Sequence, residues 1–209
     1  MKKIFNVFFI FVHLSVYAQG QFEINSLLKK EAFTFIDSKG LETTVYVLSN
    51  KSQVPVLYTT HILTEVCADS LCKPVNIHIY WDLLGNFDHY QTSPEDPLTK
   101  FDHVEFNRAD HQKLQKILAD KNSMLQDYEP EDLVDKNIKV VSEKVDGVTG
   151  ATSKTFQDFI VPGAAYTVHR LWHIVNGELS VKILNYTQNK LNDSLIHHML
   201  KTNNRAYKE

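Results

Sequence analysis

The sequence predicts an α+β fold: an antiparallel sheet containing a β-hairpin, with helices packed against it. Three observations carry this. Residues 75–81 (VNIHIYW) alternate apolar and polar with period two, as a strand with one buried face does. Residues 107–125 and the stretch after Pro162 place apolar side chains at helical spacing between capping signals. Strands and helices come in separate runs rather than in regular β-α alternation, which favours α+β over α/β. A length of 209 residues, 43% of them hydrophobic, suits one domain of moderate size.

The first residues, MKKIFNVFFIFVHLSVYAQGQ, have the anatomy of a secretory signal peptide. Lys2 and Lys3 form the positive end, Ile4 to Val16 are mostly apolar, and Val16-Tyr17-Ala18 offers small residues at a cleavage site. An uncleaved anchor is the alternative, for which the apolar run is short. The expectation is a signal peptide over 1–18, a mature chain from about Gln19 with no transmembrane span, and export to the periplasm or beyond.

Residues 19–60 are expected to form an N-terminal layer that mixes a short helical pattern with the β-branched run TTVYVL. Asp37-Ser38-Lys39-Gly40 is a turn cluster between them. In the strand 75–81, Val75, Ile77, Ile79 and Trp81 lie on one side and Asn76, His78 and Tyr80 on the other. Gly85-Asn86 then turns the chain into FDHYQT, which completes the hairpin. The two prolines of SPEDPLTKFDHVEF mark a surface loop.

Asn107 caps a helix whose apolar stripe is Leu114, Ile117, Leu118 and Leu125. NIKVVSEKV reads as a strand, and DFIVPGAAYTVHRLWHIVNG as a helix from near Pro162 to Asn176-Gly177. LSVKILNYT reads as a late strand, and NDSLIHHMLKTNN as a terminal helix capped by Asn192 or Asp193. The chain therefore divides into 1–18, an N-terminal extension over 19–73, and a domain over 74–209 with a C-terminal strand and helix.

The formal net charge is −3, with Lys and Arg scattered, so the chain has no basic face for a nucleic acid. Cys67 and Cys72 are the only cysteines. In an oxidising compartment such a close pair is expected to be joined, either as a local disulfide staple or as a reversible redox pair, for which Lys73 would lower a thiol pKa. His169 and His173, spaced i, i+4 on a helix, share a face and could ligate one ion, but HRLWH supplies no glutamate and no third ligand. No metal is expected on that ground. Tyr166, Trp172 and the pair Ala164-Ala165 fit either plain core or a platform for a planar cofactor.

Between the strand and the helix that flank it, VDGVTGATSKTF (145–156) is rich in glycine and hydroxyls. Gly147 and Gly150 allow a tight turn, and Thr149, Thr152, Ser153 and Thr155 surround it. A threonine hydroxyl needs activation to act as a nucleophile, and neither His nor Cys stands in the motif to supply it. The turn is therefore either only a turn or a substrate for another enzyme.

Asp146-Gly147-Val148-Thr149-Gly150-Ala151-Thr152 resembles the D-G-x-[ST]-G-A-T flavinylation motif of the FMN-binding domain family. That family includes the covalent-flavin subunits of sodium-pumping NADH:quinone reductase and their Rnf-type relatives. The resemblance spans about residues 74–176, taking in the hairpin upstream and the apolar segment downstream. It implies an FMN-binding-domain-like fold over 74–209 and an extracytoplasmic flavin transferase that joins FMN by phosphodiester to Thr152. Thr149 and Gly150 would shape the turn, and Asp146, Gly147 and Ala151 would belong to the recognised sequence. The chain would then be an exported electron carrier or redox subunit serving redox partner proteins, with no catalytic residues of its own. A binding or scaffolding module of the same fold without flavin, or a thiol-disulfide protein using Cys67 and Cys72, are the alternatives.

Overall fold

The structure is a computed structural model that describes residues 24–38, 40–66, 73–100, 103–133 and 156–208. Five strands, β1 (Leu28–Ile36), β2 (Glu42–Ser49), β3 (Pro55–Thr64), β4 (Val75–Trp81) and β5 (Phe87–Thr92), form one antiparallel sheet in the order β1-β2-β3-β4-β5. Among the described residues four α-helices follow: α1 (Arg108–Ala119), α2 (Ala165–Asn176), α3 (Glu178–Gln188) and α4 (Asp193–Lys201). Strands first and helices after, with neighbouring strands paired in sequence order, make a mixed α+β fold.

The sheet begins earlier than expected. Residues 28–36 are a strand rather than a short helix, with only a 3-10 turn at Ile24–Ser26 ahead of it. Phe33 and Phe35 pair with Val45 and Thr43 and point to the core, a period-two arrangement. The turn cluster forms as read: the Asp37 carboxylate accepts from Leu41 N at 2.7 Å, and Gly40 adopts φ +82°. The extension is also not a layer packed on a separate domain. β3 pairs with β4 from Tyr58↔Trp81 to Thr64↔Val75, so one sheet runs through both.

In the hairpin, Val75, Ile77, Ile79 and Trp81 are all buried, and His78 is exposed on the opposite face. Tyr80 departs from the alternation by being buried on the polar side, stacked on His89 at 4.3 Å. The core face meets the helices through two polar links: the Trp81 indole donates to Val175 O at 2.9 Å, and the Tyr58 hydroxyl is 2.9 Å from Thr187 Oγ1. Gly85, at φ +74°, brings the hairpin turn so close to α3 that a Cβ there would lie 2.3 Å from Ser180 O. Only glycine fits both demands.

Asn107 caps α1 in a reciprocal box with Asp110, whose carboxylate also pairs with Lys100 at 2.9 Å. The helix stops at Ala119 rather than running to Leu125. Asp120 turns extended and accepts from Asn122 N, and Ser123 then caps a separate 3-10 turn, Met124–Asp127. Leu125 is nevertheless wholly buried. Near Pro162 the chain first makes a turn, with Gly163 at φ +81°, so α2 starts at Ala165 and ends at Asn176 as read.

The expected late strand LSVKILNYT is helix α3. On a strand Leu179, Val181 and Ile183 would share one face. Here Leu179 and Ile183 are buried, while Val181 is 54% exposed, which is the i, i+4 period of a helix. Asn192 caps α4 by accepting from Leu195 N at 2.9 Å. The expected strand 137–145 lies outside the described residues.

Candidate functional site

Helix α2 carries the polar side chains that the rest of the fold leaves in one place. Val168, Leu171, Trp172 and Val175 fill the core. His169 and His173, one turn apart, face the segment 124–130 instead. His169 Nε2 is 2.7 Å from Tyr128 O, and His173 Nε2 is 3.0 Å from Leu125 O. The two Nε2 atoms are 3.1 Å apart. His169 is buried and His173 half-buried, so the pair runs from the interior towards the surface.

Neighbouring groups hold this corner in place. The Trp172 indole donates to Asp120 O at 2.8 Å and stands edge-on to the His173 ring. Trp172 is therefore core, 3% exposed, and not a free platform for a cofactor. Asn176 continues the histidine face and donates to Leu118 O at 3.0 Å, while its Oδ1 is buried with no hydrogen-bond partner among the described residues.

His173 also lines a cleft of about 130 Å³ between the β1–β2 turn and the α2–α3 junction. Asp37 and Arg170 close it with an ion pair at 3.1 Å, and Phe35, Leu41 and Glu178 complete its wall. Space of that order accepts a single aromatic ring, as an apolar cavity of ~150 Å³ accepts benzene. Sequence reading missed the Asp37–Arg170 pair, because a turn residue and a helix residue so far apart in the chain give no joint signal.

The chain on either side of the glycine-rich motif is anchored at the same corner. Leu133 is wholly buried. Phe156 is buried too, and its ring meets Tyr128 edge-to-face at 4.9 Å. Tyr128 is the residue whose carbonyl faces His169. The Lys113 ammonium donates to Gln157 O. Asp146, Gly147, Thr149, Gly150, Ala151 and Thr152 themselves lie outside the described residues, as do Cys67, Cys72 and the expected signal peptide. Lys73, next to Cys72, is committed to an ion pair with Asp96 at 2.6 Å.

A second histidine pair stands on the open face of the sheet. His61 and His78 are cross-strand partners with ring centroids 4.8 Å apart, and His61 Nε2 is 2.6 Å from Asn76 Oδ1. Partial burial, with the charges of His61 and Lys29, pushes the His78 pKa below its ordinary value. Among the described residues no three His, Cys, Asp or Glu side chains converge as a metal-ligand set, and no helix is long and apolar enough to cross a membrane.

No family model, no curated protein and no solved structure matches this chain.

Proposed function

We propose that this chain is an exported flavoprotein that carries FMN joined to Thr152 and passes electrons outside the cytoplasm. The observation that carries the reading is the sequence Asp146–Thr152, in which every specified position of D-G-x-[ST]-G-A-T is filled. The fold is compatible with it: an antiparallel hairpin, β4–β5, precedes the motif and helix α2 follows it, in the order the resemblance implies.

The fit to the cofactor can be tested against the described residues. A cleft of about 130 Å³ has room for one ring and not for a three-ring isoalloxazine. That cleft therefore does not enclose a flavin, and in this reading the covalent bond retains the cofactor. That is consistent with attachment to a hydroxyl by a separate enzyme, since a loosely held cofactor would be lost outside the cell. The flavin would supply one- and two-electron redox chemistry. The chain's own part is to present the Thr152 hydroxyl, with Gly147 and Gly150 giving the turn its reach, and to hold both ends of the presenting segment through Leu133 and Phe156. Backbone N–H groups of such a turn suit a phosphate.

Co-expression with an extracytoplasmic flavin transferase tests this. The motif peptide should gain the mass of FMN, and a fluorescent band should survive denaturing electrophoresis. Thr152→Ala should abolish both, while Thr155→Ala should leave both intact.

A further inference from the structure

On the open face of the sheet a chain of contacts fixes where one histidine carries its proton. Lys73 pairs with Asp96 at 2.6 Å and holds the Asp96 carboxyl ionised, below its ordinary range. A carboxylate only accepts, so the 2.9 Å bond from Asn76 Nδ2 to Asp96 Oδ2 sets which way the Asn76 amide faces. Asn76 Oδ1 is thereby the atom 2.6 Å from His61 Nε2, and that nitrogen must donate. In the neutral ring the proton therefore sits on Nε2, and Nδ1 keeps its lone pair. Outer partners impose the same arrangement on metal-bound imidazoles, where one nitrogen donates to an oxygen and the other ligates.

A second imidazole stands beside the first. His61 and His78 are directly opposite on β3 and β4, both exposed, with ring centroids 4.8 Å apart and planes 31° from parallel. Two imidazoles bound to one ion at about 2.0–2.1 Å, and roughly 90–110° apart around it, have centroids about 4.5–5.2 Å apart. The strand pairing thus sets a spacing that suits one bridging ion. Partial burial, with the His61 and Lys29 charges, disfavours the His78 imidazolium, so that ring too is neutral near neutral pH. Lys29 opposes a cation, but its ammonium lies over the Tyr46 ring at 4.0 Å, and salt screens exposed charges of this kind.

We infer that His61, through Nδ1, and His78 form a two-imidazole site on the open sheet face for one borderline divalent ion, with Cu2+ held more tightly than Zn2+. Imidazole selects such ions over calcium and magnesium, and copper stands highest in the divalent series. Two protein ligands leave the outer positions to water, so the site is weaker than a closed four-ligand one. The inference is independent of the flavin reading, since neither ligand belongs to the motif.

The test uses the chain without a polyhistidine tag. Zn2+ titrated into 15N-labelled protein should move the His61 and His78 imidazole signals together with one-to-one saturation. His61 Nδ1 should be the coordinated nitrogen, with the Nε2 proton retained, and Cu2+ should displace Zn2+ from the same residues. His78→Gln, and Asn76→Leu through loss of the tautomer-fixing acceptor, should each weaken Zn2+ binding about tenfold or more. His197→Gln, at an exposed position of α4, should leave it unchanged. Zinc that moves other histidines first, coordination of His61 through Nε2, or affinity unchanged in either weakening variant would overturn the site. The imidazole titration needs no variant, so it decides the question even if Asn76→Leu disturbs the fold. Failure of flavinylation would leave this result untouched.

Discussion

Two polar centres lie at different corners of this fold, and they are closed to different degrees. At the β4–β5 turn, the Asp82 carboxylate is 6% exposed and accepts four hydrogen bonds: from Leu84 N, Asn86 N, Asn86 Nδ2 and Asn204 Nδ2, all within 2.8–2.9 Å. Tyr207 adds to the latch by accepting from Leu83 N at 2.8 Å. Every lone pair that Asp82 points at its neighbours meets a donor, so the group is finished within the fold. At the histidine corner, the two ring nitrogens and two carbonyl oxygens lie 2.7–3.1 Å apart in series, and His173 is only half-buried. Burial of a polar group is therefore not what marks a site.

The contrast can be broken from the closed side first. Asp82→Ala leaves part-buried N–H groups of the turn and of Asn204 without an acceptor, and an unsatisfied donor costs about 1–3 kcal/mol when fully buried and less where water reaches it. The expected loss is roughly 3 kcal/mol in urea unfolding. A loss below about 1 kcal/mol would show that water replaces the carboxylate and that the turn is not closed. Tyr207→Phe removes one acceptor at the rim of the same latch and is expected to cost about 1 kcal/mol, measured in the same way.

The smallest effect is expected on the open sheet face. His78 has a folded pKa below the ordinary 6.5, because burial, then the His61 and Lys29 charges, disfavour its imidazolium. Between that folded value and 6.5 the unfolded chain binds more protons, so stability rises with pH there. The contribution is complete above 6.5 and is lost as the pH falls towards the folded value. His78→Gln should flatten the slope of unfolding free energy against pH in this window. An unchanged slope would assign it to other groups.

Much of the fold was readable because local pattern and tertiary environment agreed. The hairpin 75–92 combined strict alternation with a glycine turn, and α1 and α4 carried asparagine caps. Misreadings arose where the two signals differed. LSVKILNYT has strand-like composition, but its helical period decides, because Leu179 and Ile183 must both reach the core. The short helical pattern read within residues 19–60 gives way to a strand, because Phe33 and Phe35 pair into the sheet edge next to β2.

The site was legible only by halves. The i, i+4 spacing of His169 and His173 is written in the sequence, while the partners opposite them are main-chain oxygens of Leu125 and Tyr128. Any residue type carries such an oxygen, so no motif could announce it. The glycine-rich motif presents the opposite case. The chemistry proposed for it rests on the six specified identities from Asp146 to Thr152.

The most direct measurement is therefore the mass of the peptide containing Thr152, taken from protein exported alongside an active flavin transferase. The flavoprotein reading predicts a peptide heavier by one FMN, with the modification on Thr152 by fragmentation. An unmodified peptide, under conditions in which a known acceptor is modified, would contradict it.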